Sequence, residues 1–256
     1  MPRQKEFSLG FLEFTSSGVF VGIDLAWGER NPDGVCCLLF DGRNVTVYDI
    51  TLTLGDEMLF QKILEWKKLS CVGLIAIDAP LIIKNRNGMR PVDKLTHQLY
   101  RKQHAGCHPA YLEKIQRPVR IAKRLINLGI PISFQIPTEG FGAIEVYPHI
   151  SMIHAFGLQR ILKYKKGNVA KRAKEFKKYQ TLLHNSLFDF FPNVATDSCL
   201  EMFLKIKPWS KTLEDQTDAL FCALIAWHHW YWKGMFSEVL GDEETGFIVN
   251  CLPRKR

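Results

Sequence analysis

The feature that most constrains this chain is an apolar strand that ends in a carboxylate, written at least twice. Val19–Trp27 reads Val-Phe-Val-Gly-Ile-Asp-Leu-Ala-Trp, a β-branched and aromatic run interrupted only by Asp24. Such a short, continuously apolar run predicts a strand buried on both faces. A carboxylate within it is expensive unless it is paired or binds a metal. A strand-end Asp capping the Gly28–Asn31 turn would account for Asp24 alone. Leu74-Ile-Ala-Ile-Asp78 repeats the pattern, however, and Ala143-Ile-Glu145-Val-Tyr147 offers a third instance. Carboxylates at the ends of neighbouring strands are the raw material of a divalent-metal site.

Around these strands the chain predicts an α/β fold. Val35–Phe40 and Val45–Ile50 flank Asp41-Gly42, a hairpin signal, so three antiparallel strands open the fold. A helix over Asp56–Leu69 then leads to Val72–Asp78, and a strand–helix–strand connection of that length implies a parallel neighbour. A short helix is expected around Asp93–Lys102 and another over Arg117–Leu128, ended by Gly129. Strands are expected at Ile132–Ile136 and Ala143–Tyr147, and a helix at His149–Phe156. Leu213–Lys233 reads as a largely buried helix and Gly246–Val249 as an edge strand, followed by the basic tail Arg254-Lys-Arg256. The expected organisation is an extension over residues 1–17 and one domain over 18–256, with an insertion at about 80–135 lying over the carboxylate edge.

Charge narrows the partner. The chain carries 34 Lys and Arg against 26 Asp and Glu, a formal net charge of +8, which favours an anionic partner, nucleic acid first. Lys163–Lys178 concentrates this, with eight cationic residues against one Glu, and Phe176, Tyr179, Leu182 and Leu183 form an apolar stripe at helical spacing. The expectation is an amphipathic helix whose outer face holds a phosphate backbone through Lys165, Lys166, Lys171 and Arg172; a merely solvated face is the alternative. No run approaches bilayer length, and the start lacks the apolar core of a secretion signal. The seven cysteines make no Cys-x-x-Cys pair and read as buried free thiols of a cytoplasmic protein, without disulfides or structural zinc.

The strand-end carboxylates gain a partner in Glu214-Asp215-Gln-Thr-Asp218, at the start of the last long helix. Asp215 and Asp218, at i and i+3, share a helix face. Compensation of the helix dipole explains Glu214 and Asp215 as well as catalysis does, but Asp218 runs straight into apolar sequence and should face the sheet. Together these residues form the oxygen-rich, thiolate-free shell that Mg²⁺ or Mn²⁺ prefers. Two such ions, roughly 3.5–4 Å apart, suit phosphodiester cleavage.

This order of elements resembles the ribonuclease-H-like fold, and the carboxylates of the last helix resemble those of Holliday-junction resolvases. More closely, Gly22-Ile-Asp24-Leu-Ala, Ile77-Asp78-Ala-Pro80-Leu, Gly88-Met-Arg90-Pro-Val-Asp93, Glu145-Val-Tyr-Pro148 and Asp215-Gln-Thr-Asp218-Ala resemble the predicted-nuclease family catalogued as domain of unknown function 429. That resemblance spans residues 19–250. It implies Asp24, Asp78, Glu145 and Asp218 as metal ligands and catalytic carboxylates, with Asp215 a further ligand. It also implies Arg90 and Asp93 as a substrate-side ion pair, for which a structural loop clamp is the equal alternative.

Other signals weigh less. His104 and His108 lack a completing zinc ligand, His228 and His229 suit packing or capping, and of the tryptophans only Trp209 is expected to be free to stack. No nucleophile elbow or Walker loop occurs. The leading expectation is a divalent-metal-dependent nuclease. A nucleic-acid-binding protein of the same fold with little or no hydrolysis stands second, and an actin-like small-molecule phosphotransferase third.

Overall fold

A computed structural model describes residues 17–254; the expected extension, apart from Ser17, and the last two residues of the basic tail lie outside the described residues. Its centre is a five-stranded sheet in the order β3-β2-β1-β4-β5, built from β1 (Gly18–Asp24), β2 (Asp33–Phe40), β3 (Val45–Thr53), β4 (Val72–Ile77) and β5 (Gly140–Glu145). β1, β2 and β3 pair antiparallel, whereas β4 runs parallel to both β1 and β5. The mixed α/β sheet expected from the sequence is present.

Period-two alternation sorts the sheet into two faces. Val19, Val21, Ile23, Val35, Ile75 and Ile77 pack beneath helices α1 (Gly55–Trp66) and α3 (Arg117–Asn127). Phe20, Cys36, Leu38, Leu74, Ala76 and Ile144 pack on the opposite side, against α5 (Val169–Phe190) and α7 (Lys211–Tyr231). Asp24 and Asp78 continue the second row, so both carboxylates belong to the α7 face, at the carboxyl ends of adjacent parallel strands.

The backbone of α7 lies directly on this face because two sheet positions have no side chain. A Cβ at Gly22 would collide with the backbone of Ala219 and Ala223, and one at Gly34 with the carbonyl of Asp215. Gly34 is the β2 partner of Asp24. The close approach thus sets the first turns of α7, with Asp215 and Asp218, beside the end of β1.

Between β4 and β5 the chain divides its duties. α2 (Pro91–Tyr100) packs with a separate two-stranded hairpin, β6 (Ser237–Asp242) and β7 (Gly246–Cys251), while α3 covers the α1 face. Three expectations are corrected here. Ile132–Ile136 is not a strand: it makes only the bridge Ile132–Ala143, and Pro131 and Pro137 bracket it. Gly246–Val249 pairs with β6 in its own hairpin and meets the main sheet through the single bridge Val146–Val249. The basic helix begins at Val169, where the Asn168 side chain accepts from Lys171 N, so Lys165 and Lys166 precede it.

The remaining helices are α4 (Pro148–Phe156) and α6 (Ser198–Leu204). Among the described residues no helix is long and apolar enough to cross a membrane. All seven cysteines are free, five buried and Cys71 and Cys199 exposed, which corrects the expectation of seven buried thiols.

Candidate functional site

Asp24 ends β1, Asp78 follows β4 directly, and Asp218 lies in the second turn of α7, fully buried. Asp24 and Asp218 meet around one ammonium, that of Lys165, and Asp78 lies near enough to feel all three charges. Lys165 Nζ stands 2.8 Å from Asp218 Oδ2 and 3.4 Å from Asp24 Oδ1. The other oxygen of Asp218 accepts a hydrogen bond from the Tyr164 hydroxyl at 2.8 Å. Asp218 Oδ2, although buried, has no aligned hydrogen-bond donor, so Lys165 reaches it as a charge and not through a well-directed N–H.

The electrostatics describe an undercompensated site. Burial, added to repulsion from Asp24, Asp218 and Glu145, pushes the Asp78 carboxyl up to about 8 despite Lys165. Burial and Asp24 raise Asp218 to about 7, against the opposing pull of Lys165 and Tyr164. Burial works against the Lys165 charge, but Asp218, Asp24 and Asp78 outweigh it and hold the ammonium well above its ordinary range. One positive charge therefore faces three carboxylates in a low-dielectric setting.

Asp215 sits one helical turn away and is engaged by Lys211, whose Nζ lies 2.6 Å from Oδ1. Burial raises its carboxyl to about 6. It is at the margin of the cluster, with Lys211 as its partner.

Glu145 does not join the three aspartates. It pairs in register with Ile77 and so shares that residue's parity, one position out of phase with Asp78. Arg90 binds both its oxygens, at 2.6 and 2.8 Å, and Leu81 N donates to Oε2 as well. Arg90 is itself buried and also grips Asp93, with Nη2 2.8 Å from Oδ1. Of the two roles open to Arg90 and Asp93, the geometry is that of the loop clamp. A small recess of about 60 Å³ is lined by Asp78, Trp27, Arg90 and Glu145.

A larger cleft, about 760 Å³, is lined by Lys163, Lys165, Lys166, Lys171, Lys174 and His149. Lys165 thus borders both the carboxylates and the cleft. Arg172 lies elsewhere: its guanidinium covers the Trp209 ring at 4.7 Å, and the Trp209 indole donates to Glu214. Trp209 is therefore engaged, contrary to expectation, whereas Trp27 is exposed just beyond Asp24. Lys174 and the inward reach of Lys165 do not emerge from sequence reasoning. The signal for Lys165 is its neighbour: Tyr164, a buried aromatic inside a run of lysines, marks a point where that run turns inward.

The donor set of Asp24, Asp78 and Asp218 is all oxygen, as a hard divalent cation requires. In the arrangement present, no three His, Cys, Asp or Glu side chains among the described residues are gathered closely enough to hold a metal ion. Fold and site together define an α/β protein with an acidic cluster at the carboxyl ends of adjacent parallel strands, closed over by a helix. The chain belongs to the family described as "Protein of unknown function (DUF429)", which it matches over residues 22–245. No curated protein and no solved structure gives a significant match.

Proposed function

We propose that this protein is a divalent-metal-dependent phosphodiesterase acting on nucleic acid, built on a ribonuclease-H-like fold. The strand order β3-β2-β1-β4-β5, with three antiparallel strands followed by parallel ones, supports the fold reading. One observation carries the chemistry: carboxylates from β1 and α7 converge on a single ammonium, with a third at the end of β4 close enough to be repelled by both.

Asp24, Asp78 and Asp218 would hold Mg²⁺ or Mn²⁺, one ion or a pair. An ion bound there would supply Lewis acidity toward a phosphodiester oxygen and lower the pKa of an attacking water. The chain's own residues prepare this. Tyr164 fixes the Asp218 carboxylate through its hydroxyl, and the collision-free approach at Gly22 and Gly34 sets α7 against β1. Lys166, Lys171 and Lys174 line the adjoining cleft, where they can neutralise the backbone phosphates of a bound strand. Trp27, exposed beside Asp78, offers an aromatic face to an unstacked base.

A second reading, nucleic-acid binding without hydrolysis, draws on the lysine already seated between Asp24 and Asp218. Cleavage assays with single- and double-stranded DNA and RNA, with and without Mg²⁺ or Mn²⁺, separate the two. Metal-dependent cleavage that disappears in a folded Asp24→Asn variant is the expected result; cleavage that survives this substitution sinks the proposal. Replacing Lys166, Lys171 and Lys174 with Gln should weaken binding and flatten its salt dependence, by about 0.7–0.9 in log K per log salt for each phosphate that is no longer neutralised.

A further inference from the structure

We infer that Lys165 is a tethered cation that occupies the carboxylate site in place of the metal, and that it withdraws into the neighbouring basic cleft when a divalent ion enters. The inference rests on the metal-site reading above.

Three observations carry it. The first is competition for one atom. Asp218 has two oxygens: Oδ1 is held by Tyr164 at 2.8 Å, and Oδ2 lies 2.8 Å from Lys165 Nζ. An ion shared between Asp218 and Asp24 needs an oxygen of each at roughly 2.0–2.6 Å. The available Asp218 oxygen is the one Lys165 faces, and the same ammonium lies 3.4 Å from Asp24. An ion and an ammonium at the same oxygens repel each other at close range, so each weakens the other's hold there.

The second is the quality of the present contact. Asp218 Oδ2 is buried without an aligned donor, although an ammonium carries three. A permanent structural partner would direct a hydrogen bond at it, as Arg90 does at Glu145. Lys165 instead divides itself between two acids, donating a long hydrogen bond to Asp24 Oδ1 at 3.4 Å while lying 2.8 Å from Asp218 Oδ2 without alignment.

The third is a place to go. Lys165 also lines the cleft of about 760 Å³, and its side chain is 31% exposed where its partner Asp218 is 0%. It sits in the irregular segment between α4 and α5, where Gly167 adopts a φ of +94°. A rotation of its long side chain carries Nζ from the carboxylates into the cleft without disturbing β1, β4 or α7. Once there it joins Lys166, Lys171 and Lys174 on the phosphate-binding side. The lysine therefore offsets the acidic cluster in the metal-free protein and becomes a phosphate contact in the metal-bound one.

Mn²⁺ titration of the full chain by calorimetry or electron paramagnetic resonance, without nucleic acid, tests this. Lys165→Met removes the competitor. If the site is free of its lysine roughly one time in ten or less, the variant should bind Mn²⁺ at least about tenfold more tightly than wild type. Lys165→Arg keeps a cation in place and should bind no more tightly than wild type. A Lys165→Met protein that binds Mn²⁺ with wild-type or weaker affinity overturns the inference while leaving the metal site standing. If neither protein binds Mn²⁺, the metal-site reading and this inference fall together. Should Lys165→Met not fold, a Mn²⁺-soaked crystal of the wild type decides: Nζ displaced into the cleft supports the inference, and Nζ still between Asp24 and Asp218 beside a bound ion overturns it.

Discussion

Two buried acidic clusters lie side by side at the ends of β4 and β5, and they are solved in opposite ways. At Glu145 and Asp93 one guanidinium satisfies the hydrogen bonding. Arg90 donates to both oxygens of Glu145, to Asp93 and to the Ile82 carbonyl, and backbone N–H groups of Leu81 and Ala110 complete the two carboxylates. At Asp24, Asp78 and Asp218 one ammonium faces three carboxylates, and a buried oxygen is left without an aligned donor. A planar fork with five donors satisfies two carboxylates at once, whereas a compact point charge cannot. The residue types are nearly the same; the cation chosen decides which cluster is closed and which is left undercompensated.

The largest effect should come from breaking the closed cluster. Arg90→Met leaves Glu145 and Asp93 buried without a counter-charge, and removal of one member of such a pair costs about 3–5 kcal/mol. Denaturant unfolding should show a loss of that size, clearly greater than for Lys165→Met, where burial already favours protonation of Asp78 and Asp218. Equal losses would erase the distinction between the clusters.

A smaller contrast separates the aspartates. Asp218→Asn relieves repulsion in the open cluster, so the metal-free protein should keep its stability or gain slightly, while Mn²⁺-induced stabilisation disappears. Asp93→Asn takes a carboxylate from Arg90 and should destabilise the fold by roughly 1–3 kcal/mol. Thermal melts of both variants with and without Mn²⁺ check this, and an Asp218→Asn protein that loses as much as Asp93→Asn would contradict it.

The smallest effect is the pH dependence of the metal-free wild type. Asp78 and Asp218 bind protons more tightly folded than unfolded, with values of about 8 and 7 against an ordinary 3.8. Their contribution is present at low pH and is lost as pH rises through 7 to 8. Burial lowers His149 to about 3 and His228 to about 4 from 6.5 and depresses His154 and His229 too, so these four act in the opposite direction, an effect that fades within about one pH unit above 6.5. Between about 7 and 8 the carboxylates dominate, and stability should fall by on the order of 1 kcal/mol. Saturating Mn²⁺ should flatten that decline; a stability that rises over this window would contradict the reading of the open cluster.

Much of this molecule is written in local pattern. The apolar runs of β1 and β4 and the Asp41-Gly42 turn fix the central strands, because burial of alternating side chains needs no knowledge of distant partners. The shared parity of Asp24 and Asp78 follows from the same alternation once the two strands pair in parallel. Asp218 is legible as an inward-facing acid because apolar residues follow it on the helix.

Tertiary structure alone decided the rest. Glu145 reads as a third strand-end carboxylate, yet the register that pairs it with Ile77 puts it out of phase with Asp78, and Arg90, 55 residues away in sequence, takes up its charge. Ile132–Ile136 has a strand's composition but only one bridging partner. Lys165 reads locally as one more cation on a helix face. Helix α5 starts only after Asn168, and the lysine before it turns toward carboxylates contributed by β1 and α7. Strand register, helix start and the pairing of charges distant in sequence depend on which segments come together, and no local pattern encodes that.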